Sequence, residues 1–284
     1  MSTSPTGNRL DREPMEFALR VGSVPYLNVQ PLIWAFEKHA DLCGLIWPQK
    51  LEITSAVPSR LAEDLRRDIF DVAIVPVFEY LQNPIYTVIP GVAIATRGAV
   101  ASVMLHSASP LGEVTTIELD TSSLTSVHLL KVLLAERGLG VEYKVGTTAG
   151  TQLSPGTARL LIGDPAMNET GRHPHNYDLG EMWRTSTGLP FVFAAWLVHP
   201  KARCLPLSDV FQKARNMGMA ELEQVAAEWG PKSGKSPAAA LDYFRRNLCF
   251  ELGPRELEGW REYARLCHKH GFISDVPTIQ LHEF

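Results

Sequence analysis

Apolar runs of four to eight residues alternate with amphipathic stretches over the first two thirds of the chain. The β-rich run from Leu19 to Val24 predicts a strand that stops at Pro25. Pro31, Leu32, Ile33 and Phe36 then open a helix, with proline in its first turn. A short strand is expected at Lys50 to Thr54, followed by a helix that opens at Pro58. In that helix Leu61, Leu65 and Ile69 fall on one stripe. Asp71 to Val77 reads as a strand apolar enough to be covered on both faces of a parallel sheet. Phe78 to Leu81 makes a short helical turn. The order β-α-β-α-β points to the α/β class.

A second block of the same kind follows. Strands are expected at Ala101 to His106, Thr116 to Leu119, Val141 to Val145, Arg159 to Asp164 and Phe191 to Val198. Between them Val127, Leu130 and Leu134 keep helical spacing, ahead of Gly138 as the residue after a helix end. A short helix spans Asp178 to Arg184. From Leu207 onward the pattern is almost wholly helical, and Ser236-Pro237 and Gly253-Pro254 mark helix starts. These last helices have no sheet of their own, so they must pack on one already made. The expected partition is residues 17–100 in lobe 1, 101–196 in lobe 2, and 197–284 as helices returning to lobe 1. Residues 1–16, polar and of mixed charge, are expected to be a flexible tail. This arrangement resembles the two-lobed plan of type II periplasmic solute-binding proteins, with a ligand cleft between the lobes.

Composition narrows the function. Of 284 residues, 45% are hydrophobic and 20% charged, a soluble balance with ample core for two lobes. The net charge of -4 provides no basic footprint for nucleic acid. No apolar run approaches the roughly 20 residues of a membrane span, so no membrane partner is expected. The N-terminal stretch lacks the apolar centre of a signal peptide. Cys43, Cys204, Cys249 and Cys267 are scattered, which fits a reducing, cytoplasmic setting. Oligomeric state is not legible here.

Candidate chemistry sits at strand ends, where open α/β sheets bind ligands. Asn28 follows the first strand and either contacts a ligand or caps the next helix. Thr121-Ser122-Ser123-Leu124-Thr125-Ser126 precedes a helix, and its hydroxyls with the free N–H groups of the first turn suit an anion. Ser102 lies at the first crossover between the lobes, after Gly98. Gly163 and Asp164 close a buried strand, and Asp164 either orients a cleft group or caps the next segment. Asp178 reads as a helix cap. Glu79 is open between a cleft base and a rim carboxylate. His173 and His175, in a polar loop, are expected on the surface, and no metal site is predicted. The nucleotide, hydrolase and metalloprotease motifs are missing, so no cofactor is expected.

Several segments taken together carry a family resemblance. They are Tyr26-Leu-Asn28 with Pro31-Leu32, Pro76 to Leu81, Thr125-Ser126, Leu161 to Asp164, Asp178 to Gly180, Trp183, and Thr187 to Trp196. In this order they resemble the chorismate dehydratase family of the futalosine route to menaquinone, over about residues 20 to 200. The resemblance implies the two-lobed fold and a small dicarboxylate substrate, chorismate, which loses water to give 3-(1-carboxyvinyloxy)benzoate. It implies Asn28 and Ser102 as catalytic residues nearest the ring. Ser122, Ser123, Thr125, Ser126, Gly163 and Asp164 are implied in substrate binding. Two departures stand out. Leu124 occupies the place of an arginine usual in the family's hydroxyl-rich motif, and Thr157-Ala158-Arg159 replaces a usual Asp-Ala pair. Arg97, Arg159, or N–H groups and hydroxyls alone are the candidates to replace the missing charge. A non-catalytic carboxylate-binding protein and the sister 1,4-dihydroxy-6-naphthoate synthase are the alternatives. The sister enzyme's usual Ser-Pro-Cys-Pro-Asn start is replaced here by Ser23-Val-Pro-Tyr-Leu-Asn28.

Overall fold

A computed structural model describes residues 18–39, 50–120, 122–146 and 150–283. The N-terminal segment expected to be a tail, Cys43 and Thr121 lie outside these residues. The first lobe begins with β1 (Ala18–Ser23), α1 (Gln30–Lys38), β2 (Lys50–Ser55), α2 (Pro58–Arg66), β3 (Val72–Pro76), α3 (Val77–Gln82) and β4 (Thr87–Thr96). The second contains β5 (Val103–Ser107), β6 (Thr116–Leu119), α4 (Leu124–Ala135), β7 (Glu142–Val145), β8 (Thr157–Ile162), α5 (Gly163–Glu169), β9 (His175–Asp178) and α6 (Leu179–Thr187). The chain closes with β10 (Phe191–Val198), α7 (Ser208–Ala220), α8 (Leu222–Lys232), α9 (Pro237–Arg246) and α10 (Pro254–Lys269).

Two five-stranded sheets result, ordered β2-β1-β3-β10-β4 and β7-β6-β8-β5-β9. In each, four strands run in one direction and one, β10 in the first sheet and β5 in the second, runs against them. The fully buried β3 fits the apolar run that predicted it. Four expectations change. The strand β10 was placed in lobe 2 by the boundary at residue 196, but it pairs with β3 and β4 in the first sheet. An all-apolar strand shows burial, and does not show which sheet buries it. Strand β4 was not expected, because Pro90-Gly91 interrupts its pattern. It lies at the sheet edge, where a proline's missing N–H is tolerated. Ile69 leaves the α2 stripe: the helix stops at Arg66, Asp68 adopts φ 61°, and Ile69 is 50% exposed. Gly163-Asp164 opens α5 rather than closing β8.

The C-terminal helices lie on first-lobe elements. Helix α7 packs on α1 and β4, and α10 on β10, while α10 also reaches α4 of the second lobe. Gly218 on α7 makes the first contact possible, since a Cβ there would stand 1.8 Å from the Pro31 carbonyl oxygen. This segment is not wholly sheetless: Cys249 bridges to Ala95 and Leu281 to Val88. No helix among the described residues is long and apolar enough to cross a membrane.

Candidate functional site

The chain passes between the lobes at residues 97–102 and again at 188–190, and a cavity lies where they meet. Ile74, Pro76, Ile94 and Phe193 wall it from the first sheet, and Val103 and Ile162 from the second. Its polar side chains are Tyr26, Asn28, Ser102, Ser123 and Ser126. Among the described residues Tyr26 is the only titratable side chain in this lining, and burial, then the Asp120 charge, pushes its phenol up.

Asn28 occupies a 3₁₀ turn, Leu27–Val29, between β1 and α1. The caps of both helical segments are Tyr26 and Val29, and neither uses a side chain. The capping alternative for Asn28 therefore falls. Its Oδ1 is buried with no hydrogen-bond partner. A buried orphan acceptor is costly, and its place in a cavity wall points to a ligand donor.

Ser102 is 2% exposed and held from three sides. The Tyr243 hydroxyl donates to its Oγ at 2.8 Å, and its carbonyl accepts from Gly163 N at 2.8 Å. Asp178 fixes the residues before it, accepting from Val100 N at 3.0 Å and Ala101 N at 2.6 Å. Ala101 has φ 61°, a left-handed conformation that costs a non-glycine residue about 1 kcal/mol or more. Asp178 also caps α6, as expected, through Gly180 N and Glu181 N. Burial raises its carboxyl, against four N–H groups that favour the charge.

The hydroxyl run divides. Ser123 caps α4 and its Oγ lies 3.1 Å from Ser126 Oγ, and both residues line the cavity. Ser122 does not line it, because its hydroxyl and N–H both turn onto Asp120 Oδ1. Thr125 does not line it either. Its Oγ1 accepts from Phe78 N at 2.9 Å, and its carbonyl from the Tyr263 hydroxyl, so it joins the second lobe to the first. Leu124 packs against the core and is not in the wall. Gly163 lines the cavity at φ 64°, and a Cβ there would sit 3.1 Å from the Tyr26 ring. Asp164 is outside the lining. Burial raises its carboxyl, while the Ser233 hydroxyl and Leu27 N–H hold it down, and its Oδ1 has no partner.

The arginine candidates are committed elsewhere. Arg97 pairs with Glu256 at 2.9 Å and with Glu251, and Arg159 with Glu118 at 2.7 Å. Glu79 is neither cleft base nor rim carboxylate: it is fully buried among Arg66, Asn83 and Tyr86. His173 is not on the surface, since it pairs with Glu169 at 3.0 Å beside His106. Among the described residues no group of three or more His, Cys, Asp or Glu could hold a metal.

The cavity therefore offers neutral donors and acceptors around the N-terminal end of a 12-residue helix. Its positive end suits a carboxylate. The apolar walls suit a flat hydrocarbon ring.

A family model for menaquinone biosynthesis matches residues 19–269. The chain is 29% identical to the chorismate dehydratase of Thermus thermophilus over 262 residues, covering 83% of this chain and 95% of that protein. It is 28% identical to the chorismate dehydratase of Campylobacter jejuni over 196 residues, covering 68% and 74%. Among solved structures, a protein from Archaeoglobus fulgidus aligns with TM-score 0.68 at 14% identity, covering 89% of this chain and 98% of that one. The periplasmic aliphatic sulphonate-binding protein of Escherichia coli aligns with TM-score 0.62 at 15% identity, covering 93% and 95%. The fold is that of the periplasmic binding proteins, α/β and two-lobed.

Proposed function

The chain belongs to the menaquinone biosynthesis family, and from that premise we propose that it is a chorismate dehydratase, a carbon–oxygen lyase that removes water from chorismate to give 3-(1-carboxyvinyloxy)benzoate. The observation that carries this reading at the level of the site is the interlobe cavity. Asn28, Ser102, Ser123 and Ser126 converge there at the start of α4, with apolar walls on both sides.

The reaction needs donors more than it needs a strong base. The proton to be lost is conjugated, through a ring double bond, with the ring carboxylate. The C–H electron pair moves onto that carboxylate system, then returns to expel hydroxide from the neighbouring carbon. Proton and hydroxide leave as water, and the ring becomes aromatic. Fixed donors around the carboxylates lower the cost of the developing charge. The lining holds no carboxylate, imidazole or amine among the described residues. We therefore assign the proton to the substrate's own enolpyruvyl carboxylate. We assign Asn28 Oδ1, buried without a protein partner, to accept from the ring hydroxyl, and its amide N–H to donate to the charge that develops. The free thiols of Cys204, Cys249 and Cys267 support a reducing, cytoplasmic setting.

Purified protein mixed with chorismate, with no cofactor added, should convert it to a product lighter by one water, with the chromatographic behaviour of 3-(1-carboxyvinyloxy)benzoate. Chorismate left intact but tightly bound would instead identify a binding protein.

The missing arginine yields a second expectation. Because Leu124 packs against the core rather than the cavity, Leu124→Arg should leave chorismate affinity within about twofold. Titration at moderate salt checks this. A tightening of tenfold or more, about 1.4 kcal/mol, would show that position 124 reaches the substrate after all.

A further inference from the structure

Tyr243 stands on α9, 141 residues from Ser102 in sequence, yet its hydroxyl donates to Ser102 Oγ at 2.8 Å. It is 4% exposed. A serine hydroxyl has one proton and two lone pairs. Tyr243 occupies one lone pair, and no acceptor among the described residues takes the proton of Ser102. Ser102 lines the cavity, so the open direction for that proton is the ligand space. A hydroxyl without Tyr243 would be free to turn and present a lone pair there instead.

The surroundings keep this arrangement fixed. At the end of the same helix Asn247 Nδ2 donates to the Ala99 carbonyl at 3.0 Å, so α9 grips the crossover at two points. Asp178 grips Val100 and Ala101 from the other side. Burial pushes the Tyr243 phenol up, the Ser102 hydrogen bond opposes it, and the Asp164 and Asp178 charges add to the rise, so the phenol stays protonated and remains a donor. A buried tyrosine that only satisfied itself would need an acceptor, but would not need one in the wall of the cavity.

We propose that Tyr243 is a positioning residue for the dehydration: by donating to Ser102 Oγ it directs the serine's remaining proton onto an oxygen of the substrate. The proposal rests on the dehydratase reading and specifies how Ser102 serves it.

The test compares wild type, Tyr243→Phe, Ser102→Ala and the double variant, with melting temperatures measured on all four. Tyr243→Phe keeps the ring and removes only the donor. It should lower kcat about tenfold, the scale of one neutral hydrogen bond, with KM for chorismate within about twofold. Ser102→Ala should lose at least as much. Adding Tyr243→Phe to Ser102→Ala should cost nothing further, because the tyrosine acts only through the serine. A purely structural tyrosine predicts losses that multiply in the double variant, and that result overturns the proposal. So does wild-type kcat in Tyr243→Phe. Should Tyr243→Phe fail to fold, Ser102→Ala alone decides, and wild-type turnover in it overturns the proposal equally. Wild-type protein inert toward chorismate would sink the dehydratase reading instead. In that case chorismate affinity, read over the same four proteins, tells whether Tyr243 sets Ser102 toward a bound ligand, by the same test of additivity.

Discussion

Asn28→Ala should lower kcat for chorismate about a hundredfold, roughly 3 kcal/mol of lost charge stabilisation, in a protein that melts at or slightly above the wild-type temperature. The two halves of this expectation have separate grounds. Stability is spared because Asn28 is not a helix cap and its buried Oδ1 has no protein partner. Removing an unsatisfied buried acceptor relieves a desolvation cost rather than breaking a bond. Activity is lost because the proposed role of the side chain is both to accept from the ring hydroxyl and to donate to the developing charge. Asn28→Asp should be worse, since it sets a negative charge against a dianionic substrate in a site without a cation in its lining. Steady-state kinetics with thermal melts checks both halves. Near-normal kcat in a folded Asn28→Ala protein would remove the residue from the mechanism.

The contrast between Asn28 and Thr125 shows how far the site was legible in the sequence. Both stand at element starts facing the interlobe region, and residue type and position alone treat them alike. What separates them is a partner: the Phe78 N–H reaches Thr125 Oγ1 from another lobe, and nothing reaches Asn28 Oδ1. Hydroxyls and carboxylates are the side chains most exposed to this error, because local N–H groups compete for them. Ser122 goes to Asp120, and Asp164 to Leu27 and Ser233. Ser102, Ser123, Ser126 and Gly163 lie in the cavity wall. Tyr243 was not legible at all, since no local pattern links a tyrosine on a late helix to a serine in the first crossover. The same limit applies to the fold. Local apolar period predicted most strands and helices, but the sheet that β10 joins is set by long-range pairing with β3 and β4.

Acid should loosen the protein through His128, a residue outside the cavity wall that couples the lobes. His128 lies on α4 of the second lobe, and its ring stacks on Phe78 of the first, with centroids 3.6 Å apart and planes 7° apart. Phe272 meets the ring edge-on, and Nδ1 sits 2.9 Å from the Leu124 carbonyl. Burial is the largest influence on its basicity and brings the pKa down to about 4, with Lys131 adding to it and the Leu124 carbonyl opposing. The unfolded chain takes up this proton near pH 6.5, the folded protein only near 4. Between those values the unfolded state holds more protons, so stability falls as pH falls. The contribution is fully present above about pH 6.5, and about 2 kcal/mol of it is gone at pH 5. It is exhausted below the folded value, at a total of about 3 kcal/mol. His106 and His199, also lowered by burial, act in the same direction, so the wild-type curve alone does not isolate His128. The difference from His128→Phe does: the replacement keeps an aromatic ring against Phe78 and cannot take up a proton. Urea unfolding at pH 7.5 and pH 5 should show the variant losing about 2 kcal/mol less than wild type across the interval. Equal losses in the two proteins would mean that His128 titrates alike in the folded and unfolded chains, and that its stack on Phe78 carries no pH dependence.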